Sequence, residues 1–491
     1  MAIGRIVLAL VILLPLLVAL AGSSDGLDEK QVAGALKRAA DFMMNTVSNR
    51  GGFLWHYAAD LSEQWGEVPA RKSQIWIQPP STPDVGLMFL DAYKVTGDRQ
   101  YLTYAERAAG AVIWGQHPSG GWHYFIDFDP SGIRKFYEEV ASQCQGWEEF
   151  YHYYGNATFD DDTTTGAARF LLRLYDVSLD PKYRFPLLQA LDFVLRAQYP
   201  NGGWPQRYPL SYEFPHGGHA DYTSFHTFND DVISNNIYLL LEAYEKQGRE
   251  EYLRAARRGM DFYLVSQLPA PQAGWAQQYD MDMQPAWARS YEPAAVCTSQ
   301  TVQNIKDLQN FYRITGDRRY LEPIPKAIQW LQDSIVQSET SAGFTHAFYY
   351  ELETNKPLYI RHEHRQSSRK EILRFWLDHE QVVDLTYGRF PNIDLKPMRE
   401  EFDRVAALGP EEAMRDYRST KSRLSASKIE VEDIKRLISS MDPRGAWITE
   451  ISFLDTLDYV DNPPTRFKGI DTRTYVSNSY QLIRFLKQNK H

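Results

Sequence analysis

The sequence predicts an all-α fold, with helical hairpins stacked into a closed or partly open ring. Three observations predict it. A Gly-aromatic pair recurs at Gly52-Phe53, Gly121-Trp122, Gly203-Trp204, Gly274-Trp275 and Gly343-Phe344, with spacings of 69, 82, 71 and 69 residues. A near-constant period of this length marks a repeated supersecondary unit. Between the pairs, apolar residues recur at helical spacing, and turns such as Thr96-Gly97-Asp98 and Thr315-Gly316-Asp317 punctuate them. A lone helical hairpin cannot bury its apolar face, so successive hairpins must stack.

The elements follow in order. Arg5, the apolar run 6–20 and Ala19-Leu20-Ala21 form an export signal cleaved after Ala21. Its apolar core is short for a membrane span, and an uncleaved anchor is the second reading. The first hairpin joins helices at 86–93 and 101–114. The second joins 170–175 and 182–198, the third 237–244 and 251–267, the fourth 308–312 and 320–336. Each ends in a Gly-aromatic loop, and a ring places these loops at one end, where a cleft forms. Residues 371–438 are more charged, lack the landmark and read as partly helical and peripheral. The pattern returns at Gly445-Ala446-Trp447, and 477–488 reads as a last helix that packs on the ring or closes it. No Pro- or Ser-rich linker divides the chain. The expected organisation is a signal at 1–21, a ring domain at 22–370 and a peripheral helical segment with a C-terminal helix at 371–491.

The net charge of −10 argues against a nucleic-acid partner, whose phosphates need a basic surface. No segment after the signal reads as transmembrane, so a secreted or periplasmic protein without stable membrane insertion is expected, acting as a monomer. Aromatics make up 14% of the chain. They line either a large core or a cleft that stacks flat sugar faces. Cys144 and Cys297 are the two cysteines, and they are either a disulfide or two buried thiols.

Three polar clusters follow the loops. Asp160-Asp161-Asp162 precedes a helix, and capping explains one of these carboxylates but not three. Clustered carboxylates repel one another unless a cation or base joins them, and hard oxygens suit calcium or magnesium. Asn229-Asp230-Asp231 stands at the equivalent point of the next repeat. Arg289, within Pro285-Ala286-Trp287-Ala288-Arg289-Ser290-Tyr291-Glu292-Pro293, either pairs with Glu292, stacks on Trp287, or offers its fork to a substrate carboxylate. The segment 349–362 ends in the basic Arg361-His362. There is no Walker loop, no Gly-x-Ser-x-Gly and no His-Glu-x-x-His.

Gly202-Gly203-Trp204-Pro205-Gln206-Arg207-Tyr208-Pro209, Phe228-Asn229-Asp230-Asp231, the Arg289 segment and Tyr350-Glu351-Leu352-Glu353-Thr354-Asn355-Lys356-Pro357 occur in this order. Together they resemble the family 10 pectate lyases over roughly residues 35–365. The resemblance implies an α/α toroid with a C-terminal helical extension. It also implies cleavage of polygalacturonate by β-elimination, with Ca2+ bridging a substrate carboxylate to Asp160, Asp230 and Asp231. Arg289 is implied as a catalytic, substrate-binding arginine, with substrate contacts expected from Trp204, Gln206, Arg207, Trp287 and Asn355. β-Elimination removes the C5 proton beside a uronate carboxylate, so cations on that carboxylate stabilise the growing charge and a base must reach the proton. Ungapped alignment puts His362 at the base position, and a one-residue shift puts Arg361 there. An arginine base is difficult because its pKa lies far above neutrality, and histidine is the easier base at neutral pH. Phe348 departs from the family, which carries arginine at that position. This leaves an altered substrate, an altered base or lost activity. The alternatives are a glycoside hydrolase using paired aspartates and a polysaccharide-binding protein that kept the cleft. A terpene-cyclase reading of the Asp-rich run is opposed by export away from prenyl diphosphates.

Overall fold

The structure is a computed structural model that describes residues 27–139, 154–211, 220–289, 291–336, 345–364, 372–380, 392–424, 429–452 and 466–489. The export signal, Cys144, Ser290 and the Gly343-Phe344 pair lie outside the described residues.

The helices are α1 (Glu29–Phe42), α2 (Thr82–Thr96), α3 (Arg99–Trp114), α4 (Gly132–Glu139), α5 (Thr163–Ser178), α6 (Arg184–Ala197) and α7 (Val232–Gln247). They continue with α8 (Glu250–Val265), α9 (Thr298–Thr315), α10 (Ile324–Asp333), α11 (Leu395–Ala407), α12 (Pro410–Leu424), α13 (Val431–Ser439) and α14 (Thr472–Asn489). Local chemistry sets their ends. Ser81 and Asp84 form a capping box at α2, with Pro83 in the first turn. Gly97, at φ +74°, closes α2, and the Asp98 side chain accepts from Gln100 N–H to start α3. This explains the Thr-Gly-Asp turn.

Short strands join the hairpins at the loop end. These are β1 (His56–Ala58), β2 (Gln64–Trp65), β3 (Gln74–Trp76), β4 (Phe125–Asp127), β5 (Ala157–Thr158), β6 (Arg207–Tyr208) and β7 (His226–Thr227). The others are β8 (Gln278–Tyr279), β9 (Val296–Cys297), β10 (Tyr349–Tyr350), β11 (Pro357–His364), β12 (Ile372–Asp378), β13 (Ile448–Ser452) and β14 (Arg466–Asp471). The strand leading into each inner helix pairs antiparallel with the strand after the following Gly-aromatic loop. The pairs are β3 with β4, β5 with β6, β7 with β8 and β9 with β10. The same rule pairs β14, before α14, with β1, after α1. The two ends of the chain therefore meet and close the α/α toroid. The inner helices run in the order α14, α2, α5, α7, α9, each beside the next, and α1, α3, α6, α8 and α10 lie outside. Between α9 and α14 the plan changes. Segment 392–424, read as peripheral from its charge, lays α12 along α9, with Arg313 bound to Asp416 at 2.8 Å and Tyr312 Oη donating to Leu408 O at 2.5 Å.

The landmark aromatics are core. Trp122, Trp204 and Trp275 are fully buried, and their indole N–H groups donate to Val112, Val194 and Tyr263 carbonyls of the preceding outer helix. Trp447 does the same to Leu437. Gly202 shows why glycine precedes them. Its φ is +102°, and a Cβ there would stand 2.0 Å from Arg258 O on the next outer helix. Each loop is thus locked to the following repeat. Among the described residues, no helix is long and apolar enough to cross a membrane.

Candidate active site

Backbone register identifies five equivalent positions at the loop end. The carbonyls of Trp55, Tyr124, Gln206, Gln277 and Phe348 accept from the N–H groups of Thr472, Ile77, Phe159, Phe228 and Thr298, at the starts of α14, α2, α5, α7 and α9. The landmark residue lies two positions earlier in each repeat. In the fifth repeat this is His346 rather than Phe344. His346 Nε2 meets Leu331 O at 2.8 Å, the bond made elsewhere by the indoles. A sequence signal for it exists, because Tyr57, Tyr208, Tyr279 and Tyr350 each lie four residues after Phe53, Trp204, Trp275 and His346.

The same register aligns the two acidic turns. Asp161 and Asp230 occupy matching left-handed positions, at φ 49° and 52°, and Asp162 and Asp231 follow at φ 57°. Asp160 therefore corresponds to Asn229, not to Asp230. Aspartate tolerates this region better than most side chains. The turns aim Asp160 and Asp230 at one guanidinium. Arg289 Nη2 donates to Asp160 Oδ2 at 3.0 Å, and Nη1 donates to Glu292 Oε1 at 3.0 Å and to Asp230 Oδ2 at 3.5 Å. Glu292 is fully buried and also accepts from Arg289 N–H at 3.2 Å.

A directional hydrogen-bond chain orients this group. Tyr349 Oη donates to Gln277 Oε1 at 2.5 Å, so Gln277 Nε2 donates to Asn229 Oδ1 at 2.8 Å. Asn229 Nδ2 then faces both Asp230 Oδ2 at 2.9 Å and Glu292 Oε1 at 3.0 Å. On the other side Tyr124 Oη donates to Asp160 Oδ2 at 2.6 Å, and Gln78 Nε2 donates to Asp161 Oδ2 at 2.6 Å. Four loops thereby converge on Arg289.

The two aspartates divide one proton unequally. Burial raises the Asp230 pKa well above the usual carboxylate range, and Asp160 and Asp161 push it further against the pull of Arg289. Burial opposes charge on Asp160 too, but Arg289 and hydrogen bonds from Asp230, Tyr124 and Gln206 hold its pKa below the usual value. A proton is therefore favoured on Asp230 and charge on Asp160.

Several expected site residues are placed elsewhere. Trp204 is wholly buried and serves the core. Arg207 is wholly buried between the rings of Tyr124 and Tyr154, at 5.2 and 5.1 Å, and has no surface for a substrate. Asn355 holds the β10–β11 turn to α10, accepting from Trp330 Nε1 at 2.8 Å and donating to Ser334 Oγ at 3.1 Å. Asp231 is exposed, at the left-handed N-cap position of α7. Arg361 alternates with Ile360 along β11 and binds Asp378 at 2.8 Å and Glu380 at 3.2 Å, not the Arg289 group. The backbone of His362 pairs with Phe375 in the β11–β12 ladder, and its side chain lies outside the described residues. Gln206, buried against Asp160, joins the centre, and Trp287 is half-buried two residues before Arg289. The Arg289–Glu292 pair that the sequence offers is present at 3.0 Å, whereas Gln277, Tyr124 and Tyr349 carry no sequence signal as site residues because they are neutral. Cys297 is a buried free thiol. A separate cavity of about 560 Å³, between α9 and segment 392–401, shares no residue with this centre.

The donor set fits a hard cation in part. Asp160 Oδ1 is buried with no donor, and Asp161 repels Asp230 across the same space. Yet among the described residues no three His, Cys, Asp or Glu side chains gather as a ready metal cage. Further oxygens would have to come from substrate and water.

Fold and site together define an α/α toroid with an arginine–carboxylate centre at its loop end. Residues 134–340 match the family profile described as Pectic acid lyase, a span that holds both acidic turns and Arg289 and ends before His346. Among solved structures, the chain is similar to a variant of the family 10 polysaccharide lyase from Cellvibrio cellulosa in complex with trigalacturonic acid. The identity is 20% and the TM-score 0.38, covering 56% of this chain and 84% of that one. It is also similar to the GH76A alpha-1,6-mannanase from Salegentibacter sp. HEL1_6, at 13% identity, TM-score 0.40 and coverage of 94% and 99%. A D-mannose isomerase aligns at 11% identity and TM-score 0.47, covering 93% and 98%. No curated protein sequence matches the chain.

Proposed function

We propose that this protein is an exported polysaccharide lyase that cleaves polygalacturonate or a related uronide by calcium-assisted β-elimination at the Arg289 centre. The observation that carries the reading is the buried Arg289, held by Glu292, Asp160 and Asp230 inside the span that matches the pectic acid lyase profile. Glu292 and the Tyr349–Gln277–Asn229 chain fix the guanidinium. On binding, a uronate carboxylate would take over guanidinium N–H groups that Asp230 and Asp160 hold here, with its C5 proton beside the centre. Asp160, Asp161 and Glu292 keep the pocket negative, so an anionic sugar enters favourably only with a second cation, which Asp161 would hold together with Asp230 once Asp230 gives up its proton. When bound, calcium would neutralise the substrate carboxylate and stabilise the charge that grows on C5 abstraction. His362 is the proposed base, because histidine is the easier base at neutral pH.

A second reading has its own support. Unlike environments favour a proton on Asp230 and charge on Asp160, the acid and base roles of glycoside hydrolysis, a reaction that also needs the two carboxyls about 5–9.5 Å apart across the scissile bond. The products separate the two. Elimination creates a carbon–carbon double bond that absorbs in the ultraviolet, and hydrolysis adds water instead. Incubation with polygalacturonate, with calcium or with chelator, followed by absorbance and product mass, decides between them. New reducing ends without absorbance would overturn the lyase reading.

A further inference from the structure

Among the five equivalent positions at the loop end, Tyr124, Gln206 and Gln277 present polar groups to the Arg289 centre. Phe348 holds the fifth, by the hydrogen bond from Thr298 N–H to its carbonyl at 3.0 Å. It does not join the main core. Phe348 packs with Ile360 and Leu377 over buried Cys297, Tyr349 and Leu358, in a small separate apolar cluster. Phe348, Ile360 and Leu377 each keep part of their surface open. The cluster adjoins the charged centre directly, because Tyr349, whose ring lies 4.8 Å from that of Phe348, donates to Gln277 at 2.5 Å. Ile360 and Leu377 face one another across the β11–β12 ladder, and strand alternation sends Arg361 to the opposite face, where Asp378 and Glu380 neutralise it.

We propose that this wall is a sugar subsite beside the reaction centre, taking a pyranose ring that carries no free carboxylate. The inference rests on the uronide reading above and narrows it. A free carboxylate placed against Phe348, Ile360 and Leu377 would lose its hydration with no donor from these side chains, which is unfavourable. An uncharged ring instead buries its C–H face on Phe348. Two sources supply such a ring: a methyl-esterified galacturonate, or a neutral sugar alternating with uronate.

The test compares wild type with Phe348→Gln, the residue found at the equivalent positions 206 and 277. Three substrates are used: fully de-esterified polygalacturonate, the same polymer about half methyl-esterified, and a polymer alternating neutral sugar with galacturonate. Wild type should turn over one of the last two at least about tenfold more efficiently than the first, through KM. Phe348→Gln should lose that preference, with the change falling on KM for the uncharged-ring substrates while circular dichroism shows the variant folded. The better of the two substrates identifies the source. Equal efficiency on all three in wild type, or an unchanged preference in the variant, overturns the proposal. If none is cleaved, the lyase reading fails by itself. Retardation in native gels containing each polymer then judges the subsite: selective retardation by the uncharged-ring polymers, abolished by Phe348→Gln, sustains it, and its absence overturns it.

Discussion

At the residue scale, Arg289 is the group on which the proposed chemistry turns. Its replacement by alanine should abolish turnover. Arg289→Lys keeps one charge for Glu292 and Asp160 but loses the fork, so kcat/KM on a cleaved uronide should fall by about 10²–10³ while the fold persists. Circular dichroism alongside kinetics checks both halves. Asp230→Ala should weaken calcium binding, measured by titration calorimetry. A different residue sets a pH response of stability. Asp307 accepts from Tyr238 and Tyr263 at 3.0 and 3.2 Å, and burial raises its pKa to about 7. The folded state thus keeps its proton at pH values where the unfolded chain has released it. Stability from this group is full below about pH 4 and is lost as pH rises toward 7, by roughly 4 kcal/mol at most. Asp307→Asn removes that dependence. The Tm of the variant should gain on wild type between pH 5 and pH 8, and a constant difference would contradict the assignment.

At the element scale, the repeat was legible because glycine and tryptophan announce themselves. Trp122, Trp204 and Trp275 recur for a packing reason, and their spacing gave the hairpins. The same regularity misled where one residue served two readings. Trp204 looked like a sugar platform, and its indole is instead spent on Val194 inside the core. Trp204→Ala should cost about 3–5 kcal/mol of stability, read by denaturant unfolding. Lost substrate affinity at unchanged stability would contradict the placement. His346 was not legible as a landmark because the sequence pattern asked for Gly-aromatic, whereas the fold asks only for a planar group with one N–H aimed at Leu331 O. The sequence presents 349–362 only as a segment with a basic end, so the strand alternation that removes Arg361 from the centre appears only in the structure. Arg361→Ala should leave kcat unchanged in the same assay that tests Arg289.

At the scale of the whole molecule, ring closure depended on contacts between residues more than 400 positions apart, such as Thr472 Oγ1 on Leu54 O at 2.5 Å. The Gly445-Ala446-Trp447 copy hinted at closure, but the pairing of β14 with β1 could not be read from either segment alone. Nor could the site, since Tyr124 and Asp160, Asn229, Arg289, and Tyr349 come from four different connections between helices and meet only when the ring forms. A chain truncated before Thr472 would expose the faces of α1 and α2 that α14 covers. It should lose cooperative thermal unfolding.

In the proposed reading, this ring gathers its loops around Arg289 to eliminate across a uronide bond. The most direct measurement is ultraviolet absorbance during incubation of wild type and Arg289→Lys with calcium and uronides of defined esterification. Unsaturated products are expected from wild type, suppressed by chelator and by the substitution. No absorbance from wild type on any uronide, or equal rates from both proteins, would contradict it.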